Sequence, residues 1–479
     1  MQSSTRLKLP PIVWASIILF AASLALYYKP FLGGYTFAGP DSLAPAATST
    51  GIRTVEEESG RVPLWMPWVF SGMPTFHSFT YISILYIPNF VLKYIWPHLP
   101  GFTSFLLHYL LAGFGCFVLL RRIGGSFYAS LLGGTGFMLM PYINTMLVHG
   151  HGSQMMTLAY LPWVIWAVLR LYDRSTLVSA SLLALLVGLQ LQRGHAQISY
   201  YILLFLGLFF VVLAVRGWRA KERSAGQNWR FILLFALALV VGFGLAMALF
   251  LPVMNYTPYS IRGARGGGGT GFEYATQWSF SFGETLTFLL PSFFGFGGIT
   301  YWGSMPFTDY PNYMGIILLF LAVWAVVMKR TWIVWTLAAG GFLAYLLSLG
   351  NHFFLYKVFY VVLPYFNKFR VPHMLLVLTQ FSVVVLAGIG LDSLVSWLKE
   401  RKWDQVRRFL LGTGIGVAAL VVIFLIAASA LEGTFPPARG APAQMASRID
   451  ELRVSMIQTD TIILLILGGL AVVALFLWG

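Results

Sequence analysis

Asp41 is the first acidic residue of the chain, and it stands beside Ser42 in a long polar stretch, 33–76, behind the first apolar run. A carboxylate placed this way can take a proton from an acceptor hydroxyl as general base. Further polar groups recur between later apolar runs. They are His149-Gly150-His151-Gly152-Ser153-Gln154, then Arg193-Gly194-His195, then Tyr256, Arg262 and Arg265 within 254–311, then Asn351-His352, and last Lys368-Phe369-Arg370. Guanidinium groups match phosphate oxygens two at a time. Arg262 and Arg370 are therefore the first candidates to hold a substrate phosphate, with Arg193 and Arg265 behind them. His149, His151, Gln154, His195, Tyr256, Asn351 and His352 have the chemistry to orient sugar hydroxyls or that phosphate.

Each group also has a plainer reading. A lone loop aspartate is often solvated or caps a helix. Histidines and arginines at the ends of apolar runs often only anchor an interface. His149 and His151, two apart in a glycine-rich loop, fix no metal geometry. The residues make no cofactor certain, and a divalent cation is the one candidate. The run Gly266–Gly269 lacks the Lys-Ser/Thr of a phosphate-cradling loop.

The elements that must position these residues are set by composition. Of 479 residues, 58% are hydrophobic and 10% charged, and mean hydropathy is +0.77. A soluble domain carries about 25% charged residues. One soluble core cannot hide this apolar excess, so the expected fold is an all-α polytopic membrane protein. A span needs about 20 apolar residues. Twelve stretches qualify: 11–29, 102–120, 125–146, 155–171, 176–192, 197–216, 230–253, 312–329, 331–349, 373–395, 408–430 and 460–479. The first runs on to Tyr27 with no cleavage pattern and reads as a retained anchor. The net charge of +15 is no sign of nucleic acid. Its basic residues gather in alternate short loops, which places the N-terminus in the cytoplasm. The polar groups above then share the outer face, in a first loop over 30–101 and a second over 254–311. The expectation is one transmembrane domain over 1–479, possibly truncated, since the last span runs flush to Gly479. Residues 80–97 and 353–366 are apolar and aromatic yet interrupted by Pro88, Lys93 and Lys357. They read as interfacial amphipathic or re-entrant segments. Cys116 is the sole cysteine and lies in an apolar run.

The strings RVPLWMPWVFSGMP (61–74), HGHGSQMMTLAYLPWV (149–164), RGHAQISYY (193–201), LPVMNYTPYSIRG (251–263), LLPSFFGFG (289–297) and LSLGNHFFLYKVFYVVLPYFNKFRVPHM (347–374) follow Asp41-Ser42 in that order. With them the chain resembles the YfhO family of bacterial membrane proteins, which belongs with the GT-C glycosyltransferases. The resemblance implies a GT-C-like fold in the bacterial inner membrane. It implies a polyprenyl-phosphate sugar as donor, a cell-envelope glycan or polymer as acceptor, and Asp41 as the carboxylate of the first outer loop. Two departures stand out. Gly39-Pro40 precedes Asp41 where the family commonly has glycine directly before it, and Ser42 stands where many GT-C enzymes carry a second acid.

Two rival readings remain. A lipid or solute transporter, or a flippase, would need polar groups inside the spans, where Gln190 and Gln380 are the main ones. A non-catalytic accessory subunit of a membrane complex could keep the same fold.

Overall fold

The computed structural model describes residues 10–37, 39–76, 85–89, 91, 99–221, 223–260, 263, 271–308, 310–431 and 434–478. Among them the protein is all-α apart from one two-rung antiparallel ladder, β1 (Trp65–Met66) with β2 (Met73–Pro74). Nine helices among the described residues are long and apolar enough to cross a membrane, which makes this a polytopic membrane protein. They are Pro11–Leu32, Thr103–Arg122, Phe127–Val148, Gly152–Asp173, Ala196–Arg219, Ala225–Tyr259, Pro372–Lys399, Trp403–Phe424 and Ala443–Ala471. The other three expected spans fall on apolar helices of 10–17 residues, Leu177–Gln192, Ile316–Met328 and Trp332–Ser348. Of the expected segment 80–97, only residues 85–89 and 91 are among the described residues.

Two compact units divide the chain. The first holds Met1–Leu139 and Leu147–Val253, the second Met140–Met146 and Met254–Gly479.

In the first unit, α1 (Pro11–Leu32) and α2 (Pro40–Ser59) lead into the β1–β2 ladder. Next come α3 (Thr103–Arg122), α4 (Phe127–Met138), α6 (Gly152–Leu158) and α7 (Leu161–Asp173), while α5 (Pro141–Val148) between α4 and α6 belongs to the second unit up to Met146. Helices α8 (Leu177–Gln192), α9 (Ala196–Arg219) and α10 (Ala225–Tyr256) follow. The hub is α3, which packs on α1, α4, α6 and α7. Small residues let the backbones close up, as association inside a bilayer requires. A Cβ on Gly134 would lie 2.8 Å from the Gly113 carbonyl oxygen, and one on Gly113 3.2 Å from that of Gly134. At the far end, Arg122 pairs with Asp173, and Arg223 donates to Ser175 Oγ at 2.7 Å.

The polar stretch after α1 is itself folded. Pro40 starts α2 with a fixed φ, and the left-handed Gly60 ends it. The ladder turns back on α2, where the Trp68 ring lies against Gly51. Ile52, Met66 and Thr75 are fully buried beneath it, and Thr75 Oγ1 donates to the Pro63 carbonyl at 2.6 Å. Leu64, Trp65, Trp68 and Phe70 face outward. The stretch therefore supplies a small core that holds the middle of α2, the helix that carries Asp41.

In the second unit, α11 (Ile316–Met328) and α12 (Trp332–Ser348) pack on α14 (Leu376–Lys399), and α15 (Trp403–Leu431) on α16 (Ala446–Trp478). Thr379 Oγ1 donates to the Gly341 carbonyl across α14 and α12 at 2.9 Å. The expected interfacial segment 353–366 contains α13 (Phe354–Val362), a surface helix. Its exposed Phe354, Val358, Val361 and Val362 recur at i, i+4, i+7 and i+8, one apolar stripe.

Candidate functional site

Asp41 occupies the first turn of α2, and the His149–Gly152 loop wraps around that turn. His151 caps the N-terminus of α6, and its Nε2 lies 3.1 Å from Asp41 Oδ2. The carboxylate can only accept here, so the imidazole nitrogen is the donor. Two glycines permit the approach. Gly150 has φ +90°, and a Cβ on it would lie 2.4 Å from the Asp41 carbonyl carbon. A Cβ on Gly39 would lie 2.6 Å from the Val148 carbonyl oxygen and 3.1 Å from His149 Cα. The two motifs that stand about a hundred positions apart in sequence thus form one contact. Asp41 stays mostly exposed, with His151 half-buried beside it.

The Gly150 geometry yields an expectation. Gly150→Ala meets both a steric block and a disfavoured φ, so the loop must move away from α2. A shift of about 1 Å in a reacting group costs about 100-fold in rate. The variant is expected to fold, to melt somewhat lower, and to lose activity on that scale, read as turnover on protein shown folded by its melting curve.

A second layer lies deeper in the same unit. Gly152 sits against the Phe105 ring of α3. His108 is three residues further along α3, on the same face and about 4.5 Å deeper. Its Nδ1 lies 2.6 Å from the Ser104 carbonyl oxygen, and its Nε2 2.8 Å from Tyr86 Oη. Tyr86 Oη also lies 2.5 Å from Tyr160 Oη. Over the Tyr86 ring, 4.4 Å from its centroid, stands the Arg193 guanidinium. Arg193 caps the C-terminus of α8 and is 7% exposed. No carboxylate pairs with it among the described residues, and its Nε and Nη1 have no hydrogen-bond acceptor there. Burial pushes this guanidinium below its ordinary pKa and the Tyr86 phenol above its own. A buried cation with unused donors favours an anion beside it.

The remaining expected site residues are dispersed. Gln154 is buried in α6. His195 caps α9, its Nδ1 accepting the Ile198 N–H at 3.2 Å. Tyr256, Asn351, His352 and Arg370 belong to the second unit. There Tyr256 faces Tyr259, with ring centroids 6.4 Å apart. The Asn351 N–H donates to Ser279 Oγ at 3.0 Å, and His352 Nδ1 lies 3.0 Å from the Phe280 carbonyl oxygen. These contacts organise the turn before α13. Arg370 Nη1 donates to Tyr274 Oη at 2.8 Å, and the guanidinium lies 5.4 Å from the Tyr274 ring and 5.7 Å from the Trp278 ring. Val371, next to it, has φ +62°, a strained position for a β-branched residue. Arg262 and Arg265 lie outside the described residues. No three His, Cys, Asp or Glu side chains among the described residues converge as a metal site.

Sequence reasoning assigned no role to two features. One is the Tyr86–His108–Tyr160 chain, whose members read as span or belt residues. The other is Glu284 in the second unit, 1% exposed. Its Oε2 accepts the Ser281 N–H at 3.0 Å and the Ser281 and Ser304 hydroxyls at 2.8 Å, and its Oε1 accepts Tyr301 Oη at 2.5 Å. Burial and then the Glu284 charge push the Tyr301 phenol far above its ordinary pKa, so it stays a donor. The Glu284 N–H returns a bond to Ser281 Oγ at 3.2 Å. The spacing Ser281-x-x-Glu284 is a capping box, a signal present in the sequence.

The chain matches no protein-family model and no curated protein. What the fold and the site define is a class, a polytopic all-α membrane protein with an aspartate–histidine pair and a buried arginine in its first unit.

Proposed function

We propose that this protein is a membrane glycosyltransferase that moves a sugar from a polyprenyl-phosphate donor to a cell-envelope acceptor hydroxyl. The observation that carries the reading is the Asp41–His151 contact, in the same unit as the buried Arg193 with its unused donors. Asp41 takes the acceptor proton, and His151 holds the carboxylate in place. The acceptor oxygen attacks the sugar carbon, and the bond from that carbon to the phosphate oxygen breaks on the opposite side. Arg193 receives the charge that develops on the departing phosphate. Arg370 is the other described arginine that could hold a substrate phosphate. Twelve spans, a GT-C-like arrangement, a cytoplasmic N-terminus, the bacterial inner membrane and an outward-facing site all belong to this proposal. Purified protein supplied with polyprenyl-phosphate sugars and envelope glycan acceptors is expected to release polyprenyl phosphate and glycosylated acceptor together.

A transporter or flippase is the second reading, favoured by the buried polar chain of Tyr86, His108, Tyr160 and Arg193. It predicts lipid or solute movement in proteoliposomes with no sugar transfer.

A further inference from the structure

Gln190 stands three residues before Arg193 on α8, so the two share a helix face, Gln190 about one turn deeper. Gln190 is fully buried, and neither its Nε2 nor its Oε1 has a hydrogen-bond partner among the described residues. Together with Arg193 Nε and Nη1, that leaves three nitrogen donor positions and one acceptor unused in one buried stripe. Such groups are rarely left unsatisfied in a folded protein. Their complement is a molecule with several acceptor oxygens and one hydroxyl donor. A carboxylate has no hydroxyl, and neither has a phosphodiester. A hydrogen phosphate monoester has both, and at neutral pH part of it carries that proton.

We propose that Gln190 and Arg193 form a buried receptor for a phosphate monoester, recognised through its free oxygens and its P–OH. The inference rests on the glycosyl-transfer reading and deepens it. The sugar donor is a phosphodiester and the departing lipid phosphate is a monoester, so these groups complement the product better than the substrate. The guanidinium supplies charge, and Gln190 tells monoester from diester by accepting from the P–OH. The Ser104–His108–Tyr86–Tyr160 chain fixes the ring on which Arg193 rests.

Calorimetry on the full-length protein in detergent tests this with three probes, inorganic phosphate, dodecyl phosphate and a dialkyl phosphodiester. Wild type is expected to bind the first two, and the diester at least ten-fold more weakly. Gln190→Met keeps the volume and removes the amide. It is expected to bind the monophosphates about ten-fold more weakly at an unlowered melting temperature, and Arg193→Met to bind neither measurably. Equal affinity for inorganic and dodecyl phosphate would assign the receptor to the oxyanion alone, and tighter dodecyl phosphate to a lipid headgroup. Both outcomes support the receptor. It is overturned if wild type binds neither monophosphate, if the diester binds as tightly, or if Gln190→Met binds like wild type. Asp41→Asn is expected to bind the monophosphates normally. Binding without sugar transfer by wild type would remove only the catalytic reading, and transfer without binding only the receptor.

Discussion

Asp41→Asn abolishes measurable sugar transfer while the protein still folds and still binds its donor. The substitution keeps the size of the side chain and an oxygen for the His151 N–H, so the contact at 3.1 Å can persist. It removes the basic lone pair that would accept the proton. General-base catalysis contributes about 10²–10⁴-fold, and the loss should fall in turnover number with KM nearly unchanged. Asp41 is exposed and its helix is secured by Ile52, Met66 and the β1–β2 ladder, so the melting temperature should not move. Initial rates at saturating donor, with a melting curve on the same preparation, check this. Retained turnover removes Asp41 from the role of base.

The second large effect is on stability, in the other unit. Glu284→Ala removes the acceptor of four donated hydrogen bonds, from the Ser281 N–H and the hydroxyls of Ser281, Tyr301 and Ser304. All four converge on one buried carboxylate. Donors left unpaired in a buried setting cost about 1–3 kcal/mol each. Partial relaxation brings the expected total to about 3–5 kcal/mol. Gly303 gives the region little room to rearrange, since its Cα already abuts Tyr301 and Glu284, where a Cβ would come within 2.4 Å and 2.5 Å. Glu284→Ala should melt several degrees lower in detergent, with Glu284→Gln between it and wild type. An unchanged melting curve for Glu284→Ala would show that the network contributes nothing.

The helical spans were legible because hydropathy in a bilayer is a strong, local constraint. Every expected span falls on an apolar helix, and three of those helices are shorter than a full crossing. Asp41 and the His149–Gln154 motif were legible as chemistry, but their contact was not. It depends on Gly39 and Gly150 letting two backbones meet, and a glycine in a polar loop gives no hint of its partner. Arg193 ranked behind Arg262 and Arg370 because sequence carries no measure of burial. Its burial brings Arg193 forward, whereas Arg262 lies outside the described residues. Tyr86, His108 and Tyr160 come from three separate segments, and each alone resembles an ordinary interfacial or core residue. The Ser281-x-x-Glu284 box was readable locally, whereas the arrival of Tyr301 and Ser304 is a tertiary event. Segment 353–366 is expected to be interfacial from its aromatic content, and α13 within it carries an exposed apolar stripe.

A structure of the protein bound to a non-hydrolysable phosphonate analogue of a polyprenyl-phosphate sugar tests the central claim most directly. The account predicts the phosphonate oxygens within hydrogen-bond distance of Arg193, and the anomeric carbon facing a space that an acceptor can reach beside Asp41 and His151. A lipid bound elsewhere on the protein, with its headgroup out of reach of both Asp41 and Arg193, would contradict it.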